Sequence, residues 1–199
     1  MLITEYAQLP SCLITATDTD AGKTHVSCQI LKAWQQQGLS VGAFKPIASG
    51  AIWLDGALVS EDAMALAQVT GQSLTEINPY TFEPPASPHM ADEKGLFDLT
   101  FCVNQLHQLL KKYDRLLVEG VGGWCVPLSS DLMLKDLANA IGLPVVMVSR
   151  IGLGCINHSL LTINQIKRDS QLYHGWIANL INPEYTNAEA NIKAITERS

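Results

Sequence analysis

Charge is scarce in this chain. Only 16% of its 199 residues are Asp, Glu, Lys or Arg, and the 13 basic residues are outnumbered by 19 acidic ones, for a net charge of −6. That balance excludes nucleic acid as the main partner, because neutralising phosphates needs a surplus of Lys and Arg. Cysteine is sparse and unpatterned: Cys12, Cys28, Cys102, Cys125 and Cys155 are odd in number, scattered, and form no C-x-x-C pair. This excludes a disulfide framework and a cysteine-rich zinc site, and points to reduced thiols in a cytoplasmic protein. No Lys or Arg precedes Lys23, so the charged start of a secretory signal is missing. The most apolar late stretch, residues 143–156, is interrupted by Arg150, and no run reaches the ~20 apolar residues of a membrane span. Repeats and low-complexity tracts are absent. What is there is 47% apolar residues in a length suited to one domain over residues 1–199. Such a domain buries roughly 70% of its unfolded surface without disulfides or a structural metal.

Short apolar runs alternate with longer helix-like segments. Strands are expected over residues 12–17, 41–45, 115–119, 145–149 and 175–179. Helices are expected over 23–37, closed by Gly38 as a C′ glycine; over 60–71, with Ser60 as N-cap; and over 98–113, with Phe101, Leu106, Leu109 and Leu110 near one face. Three more follow over 134–141, 156–169 and 187–198. Residues 72–95 read as a loop, because Asn78-Pro79, Pro84-Pro85 and Ser87-Pro88 each bias their first residue to extended geometry. Strands that are apolar throughout, alternating with helices, imply an α/β fold with a mostly parallel sheet covered on both faces, in three layers. Ligands of such sheets bind beyond the carboxyl ends of the strands. The chemistry-bearing residues gather there: 17–24, 45–49, 119–123, 149–157 and Asn179.

Ala16-Thr17-Asp18-Thr19-Asp20-Ala21-Gly22-Lys23-Thr24 follows a strand, opens a helix, and ends as a P-loop ends. Gly22 lets backbone N–H groups approach phosphate oxygens, and the helix N-terminus adds partial positive charge. Lys23 neutralises phosphate charge, and Thr24 is a Mg²⁺ ligand candidate. The usual first glycine of such a loop is replaced by Ala16. Glu119 ends an apolar strand, where a metal-directed carboxylate is expected, although a solvated strand-end acid is the plain alternative. Asp62 near a helix start is by itself a favourable charge on the helix dipole. Lys45, beside a phosphate loop, is a second phosphate contact.

Taken in order, the motifs resemble the dethiobiotin synthetase family. Beyond the phosphate loop they are Lys45-Pro46-Ile47-Ala48-Ser49-Gly50, Ser60-Glu61-Asp62-Ala63, Asn78-Pro79-Tyr80, Ser87-Pro88-His89, Val118-Glu119-Gly120-Val121-Gly122-Gly123, Val126-Pro127-Leu128, Gly152-Leu153-Gly154-Cys155-Ile156-Asn157-His158 and Ala178-Asn179. The resemblance implies a P-loop NTPase fold and a cyclo-ligase that joins CO₂ to 7,8-diaminopelargonic acid with ATP. It implies Lys23, Lys45 and Thr19 as catalytic residues. ATP would be held by Asp20, Ala21, Gly22, Lys23, Thr24, His25, Glu119, Gly122 and Gly123, with Asn179 reading adenine. Mg²⁺ would be held by Thr24, Asp62 and Glu119. Thr19, Lys45 and Ser49 would hold the carbamate end of the substrate. The resemblance also implies a homodimer in which Leu153, Gly154, Cys155, Ile156 and Asn157 reach the partner's site and hold the substrate carboxylate.

The sequence departs from the family pattern at Ala16, at Asp20 (usually Glu), and at the C-terminus, where the family continues into a Gly-x-(Ile/Leu)-Pro segment beside adenine. Two other readings stay open here. One is an ATPase switch of the partitioning or cluster-assembly type, which usually carries an extra lysine early in the loop; this chain has Thr15-Ala16-Thr17 there. The other is a nucleotide-binding homologue without turnover. His89 and His158, without an evident partner, read as packing or capping residues, Cys155 as a small residue at a tight helix start, and Trp124 as a cover for the Gly-rich loop or a packing residue.

Overall fold

The structure, a computed structural model, describes residues 1–199. In chain order its elements are β1 (Cys12–Ala16), α1 (Lys23–Gln36), β2 (Val41–Phe44), β3 (Ile47–Ala48), β4 (Ile52–Leu54), β5 (Ala57–Val59), α2 (Glu61–Thr70), α3 (Leu74–Ile77) and β6 (Tyr80–Thr81). They continue as α4 (Pro88–Ala91), α5 (Leu99–Lys112), β7 (Arg115–Glu119), α6 (Leu134–Ile141), β8 (Val145–Arg150), α7 (Cys155–Asp169), β9 (Tyr173–Asn179) and α8 (Ala188–Thr196). Five strands form one sheet in the order β2-β7-β1-β8-β9, all parallel. β1 is central, so the loop after it opens at the sheet's switch point, with β7 to one side and β8 to the other.

The apolar strands divide their side chains by strict alternation. Leu13, Phe44, Leu116, Val118, Val145, Met147 and Trp176 face one core, which α5, α6, α7 and α8 cover with residues such as Leu106, Leu137, Ile163 and Ile195. Cys12, Ile14, Ala43, Leu117, Val146, Val148 and Ile177 face the other, against Val26, Ile30 and Trp34 of α1 and Leu66 of α2. The two cores explain why the strands carry no polar face. They also produce the three layers expected from the sequence. No helix is long and apolar enough to cross a membrane.

Both margins of the sheet are occupied. At β9 the Ile3 N–H donates to the Trp176 carbonyl at 2.7 Å, and the Trp176 N–H donates to the Met1 carbonyl at 2.9 Å. At β2 the Ala43 N–H donates to Gln72 Oε1 at 2.6 Å, and the neighbouring Lys45 N–H donates to the Ile77 carbonyl at 2.8 Å.

Three local expectations need correction. Residues 72–95 are not a plain loop. Ser73 accepts the Glu76 N–H and starts the single turn of α3, β6 pairs with β3, and Pro88 opens α4. β4 and β5 form a hairpin that sequence reading did not identify; Asp55 and Gly56 at its tip have φ of 49° and 80°, as a two-residue turn with two left-handed positions requires. On α5, Cys102 takes the buried place expected for Phe101. Phe101 is 44% exposed and meets the Tyr80 ring edge-on.

Candidate active site

After β1 the chain turns through 17–22 into α1. Gly22 sits at φ +86°, and a Cβ on it would lie 2.0 Å from Asn179 Nδ2, so the position admits only glycine. The Asn179 amide donates to the Ala21 carbonyl at 2.8 Å, tying the end of β9 to the phosphate loop. Ala21 itself points into the core, so only its backbone is available to a ligand. Asp20 holds φ +58° without being glycine.

Lys23, at the first position of α1, extends its ammonium across the loop. Nζ donates to the Gly122 carbonyl at 2.8 Å and reaches the Asp18 carbonyl at 3.4 Å. Burial pushes its pKa down to about 8 and the Lys45 charge adds to this, while Glu119, Asp62 and Asp20 act the other way. Lys45, just past β2, is fully enclosed. Its Nζ lies 2.9 Å from Glu119 Oε1 and 2.9 Å from Asp62 Oδ2. Burial alone would lower its pKa, but the two carboxylates outweigh that and hold it above the ordinary lysine value. Asp62 is the mirror case: burial works to raise its pKa, and Lys45 with the Thr24 hydroxyl brings it below the usual carboxylate range.

Thr24 Oγ1 lies 2.7 Å from Asp62 Oδ1 and 2.8 Å from Glu119 Oε1. A hydroxyl has one proton, so it can satisfy only one of these two acceptors. Glu119 is fully buried, and its Oε2 has no partner at all. Asp62 and Glu119 are paired with Lys45, but Glu119 Oε2 is unpartnered and Thr24 can serve only one of its two acceptors, so this set of oxygen donors fits a hard cation that keeps some waters. The resemblance implied that these three groups lie together, and the fold brings the two acids within hydrogen-bond distance of Thr24.

Lys23, Thr24, Lys45 and Asp62 open into one cleft of about 520 Å³; Glu119, expected there from the sequence, does not line it and lies buried behind them, bonded to Thr24 and Lys45. Of the residues expected from the sequence, Thr19, Asp20, Gly22, Lys23, Thr24, His25, Lys45, Ser49, Asp62 and Gly122 line it. A cleft of this kind is common to many phosphate-handling proteins, so its identity rests on relationship. The family described as "AAA domain" matches residues 11–199. ATP-dependent dethiobiotin synthetase BioD of Pseudomonas paraeruginosa is 39% identical over 197 residues, covering 96% of this chain and 86% of that protein. The Yersinia pestis bv. Antiqua protein of the same name is 41% identical over 174 residues, covering 85% and 72%. The chain belongs to the dethiobiotin synthetase family of ligases. A ParA family ATPase from Chlorobium tepidum superposes with a TM-score of 0.54 over 94% of this chain and 82% of that one, at 14% identity. That likeness establishes the P-loop NTPase fold and nothing about a partitioning role.

Other residues of the family pattern fall outside the cleft. Gly123 lines a neighbouring cavity of about 490 Å³, together with Trp124, Leu161 and Gln165. Leu153, Gly154, Cys155, Ile156 and Asn157 sit at the start of α7 and do not line the cleft; Leu153 is 97% exposed, while Cys155 is buried in the core. Trp124 is buried, and its indole N–H donates to Asp169 Oδ2 at 2.9 Å, so it anchors the Gly-rich loop onto α7.

The structure adds cleft residues that the sequence did not single out, Pro85 and Ala86, and brings in Ser87, Pro88, Val121 and Val126 from the motif blocks quoted above. Backbone bonds from Gly50 to Pro84 and from Ala51 to Phe82 bring the proline-rich segment over Ser49. The only sequence signal was the cluster of Xaa-Pro steps.

Proposed function

We propose that the protein closes the ureido ring of dethiobiotin from 7,8-diaminopelargonic acid, CO₂ and ATP, releasing ADP and phosphate. The observation that carries this reading is the convergence of two buried lysines, Lys23 and Lys45, with Thr24 and Asp62 at one end of a cleft that also holds Thr19 and Ser49, and with the buried Glu119 bonded to Thr24 and Lys45 behind them. One amine of the substrate adds to CO₂ and loses a proton, giving a carbamate. A carbamate oxygen takes the γ-phosphoryl group of ATP, forming a mixed anhydride and ADP. The second amine then attacks the carbonyl carbon, the C–O bond to phosphate breaks, and the ring closes. There is little covalent work for the protein, so positioning and charge neutralisation dominate.

Lys23 and Lys45 neutralise the transferring phosphoryl oxygens. Thr19 and Ser49 hold the carbamate end by hydrogen bonds. The backbone N–H groups over Asp20 to His25 cradle the phosphates, with Gly122 and Gly123 closing over them. Thr24, Asp62 and Glu119 would hold Mg²⁺, which when bound supplies charge neutralisation between the phosphates. Asn179 gives one amide hydrogen to Ala21, leaving its Oδ1 and its second N–H for an adenine edge. Residues 153–157 serve the site of a second copy in a homodimer. Their place outside the cleft of their own subunit supports this, and a helix start with free N–H groups suits a carboxylate. The reaction needs no membrane or nucleic acid and suits the cytoplasm.

The test is phosphate release from Mg-ATP with bicarbonate, with and without the diamine, and mass analysis for dethiobiotin. Diamine-dependent release with that product is the expected result. Release that ignores the diamine would overturn the reading in favour of an ATPase switch, and no release in favour of a binding protein.

A further inference from the structure

The glycine-rich run after β7 has little to stiffen it, since Gly120, Gly122 and Gly123 bring no side chains. Its ends are fixed through the backbone: the Gly120 N–H donates to the Ile14 carbonyl at 2.9 Å, and the Leu134 N–H donates to the Val126 carbonyl at 2.9 Å. Between these ends, two bonds hold residues 121–125 from outside. One is Lys23 Nζ on the Gly122 carbonyl, at 2.8 Å. The other is the Trp124 indole N–H on Asp169 Oδ2, at 2.9 Å. A Cβ on Gly123 would lie 3.3 Å from the Ala16 carbonyl, so the run rests directly on the start of the phosphate loop. Asp169 is itself held in place. Gln165 Nε2 lies 2.9 Å from each of its carboxylate oxygens, and Lys135 Nζ of α6 lies 3.8 Å from Oδ2. A carboxylate at the last position of α7 opposes the helix dipole, so its place there is unfavourable for α7 itself. The indole bond also sets Trp124 apart from the other buried tryptophans, because the N–H groups of Trp34 and Trp176 have no partner. Asp169 lines neither the cleft nor the neighbouring cavity.

Resting on the ring-closing reading above, we propose that Asp169 is a positioning residue for that reaction, acting through Trp124. It fixes the indole, the indole fixes Gly122 and Gly123 against the phosphate loop, and the Gly122 carbonyl holds the Lys23 ammonium at the cleft. A carboxylate acceptor makes the indole bond charge-assisted and stronger than a neutral one. Without that bond the run can pivot on its glycines. The Lys23 ammonium is then held by a carbonyl that moves with the run. Asp169 touches no substrate, so ground-state binding of ATP and the diamine is nearly unaffected. What suffers is the alignment of the phosphoryl group and of the second amine, to which the rate is steeply sensitive. The loss therefore falls on kcat and not on KM.

The experiment measures kcat and KM for dethiobiotin formation by the full chain, in the parent, Asp169→Ala, Asp169→Asn, Trp124→Phe, and the double variant of Asp169→Ala with Trp124→Phe. Urea unfolding checks that each is folded. Asp169→Ala and Trp124→Phe should each lower kcat about 5–10-fold with both KM values within about twofold of the parent, a modest share of the ~100-fold that a misplacement of about 1 Å can cost. Asp169→Asn keeps an oxygen for the indole N–H and should recover at least about half of the parent kcat. The double variant should be no slower than the slower single one, because both substitutions remove the same bond. Trp124→Phe keeps an aromatic ring and loses the donor. Parent kcat in that variant would overturn the positioning role while leaving the ring-closing reading intact, and it decides the matter even where Asp169→Ala does not fold. A rise in KM with kcat unchanged, an Asp169→Asn as slow as Asp169→Ala, or losses that multiply in the double variant would overturn it equally. If the parent makes no dethiobiotin, the ring-closing reading fails and takes this role with it.

Discussion

Lys23 is the group whose protonation state should respond most to nucleotide. Burial and the nearby Lys45 charge bring its pKa to about 8 without ligand, so at pH 8 about half of the molecules carry a neutral amine there. A triphosphate placed against it restores the charged form and returns its pKa towards the ordinary 10.5 or above. That difference is worth about 3 kcal/mol at the high-pH limit. Three consequences are measurable. ATP binding should take up ~0.5 proton at pH 8 and close to one at pH 9, and affinity should fall about tenfold per pH unit between 8 and 10. Lys45 adds nothing to this slope, because its carboxylate partners keep it charged throughout the range. The sign for stability is opposite to that for binding: the unfolded chain holds the proton that folded Lys23 gives up, so without ligand this group makes folding more favourable as pH rises from about 8 to 10.5. The assay is calorimetry of Mg-ATP binding at pH 8 in buffers of different ionisation heat, with Lys23→Arg as a control that keeps a permanent charge and should take up no proton. A binding enthalpy independent of buffer, with affinity flat between pH 7 and 9.5, would refute the reasoning.

Three further predictions concern other parts of the molecule. Glu119→Gln keeps the shape but removes the charge facing Lys45 and Thr24; the magnesium concentration giving half-maximal activity should rise about tenfold or more, and an unchanged titration would remove Glu119 from the metal set. In the proposed homodimer with shared sites, Asn157→Ala and Lys23→Ala, mixed as subunits in equal amounts, should recover about a quarter of the parent's sites, since each hybrid would have one intact site; no recovery would overturn the shared site and leave Asn157 to its own subunit. Asp98→Ala removes the acceptor for the Thr100 and Phe101 N–H groups at the start of α5, and should lower stability by about 1 kcal/mol without changing the ATP KM, read by urea unfolding alongside kinetics.

The large elements were legible because their cause is local. Apolar runs such as Leu116-Leu117-Val118 must be buried on both faces, and Ser60, Asp98 and Gly142 mark helix ends through their own side chains or lack of one. Thr24, Asp62 and Glu119 were grouped only through the resemblance of their motif blocks, since Asp62 by itself read as a favourable charge at a helix start; in the fold Thr24 Oγ1 lies 2.7 Å from Asp62 and 2.8 Å from Glu119. The cleft wall made by Pro85 and Ala86 was not legible, because it depends on the proline-rich segment docking over Ser49 and Gly50 through backbone bonds that no side chain announces. The Asp55-Gly56 hairpin could have been found, since that dipeptide between apolar residues is a turn signal in its own right.

The occupied margins of the sheet bear on how copies of this protein can meet. A parallel sheet ordinarily ends in strands whose free N–H and C=O groups can recruit a strand from another molecule. Here one end is pinned by residues 1–3 and the other by a glutamine side chain and a helix-terminal carbonyl. Strand exchange and end-to-end stacking of sheets therefore lack their usual template. Self-association is steered to side-chain surfaces, such as the exposed Leu153 beside α7, where pairing can be geometrically closed and finite rather than open-ended.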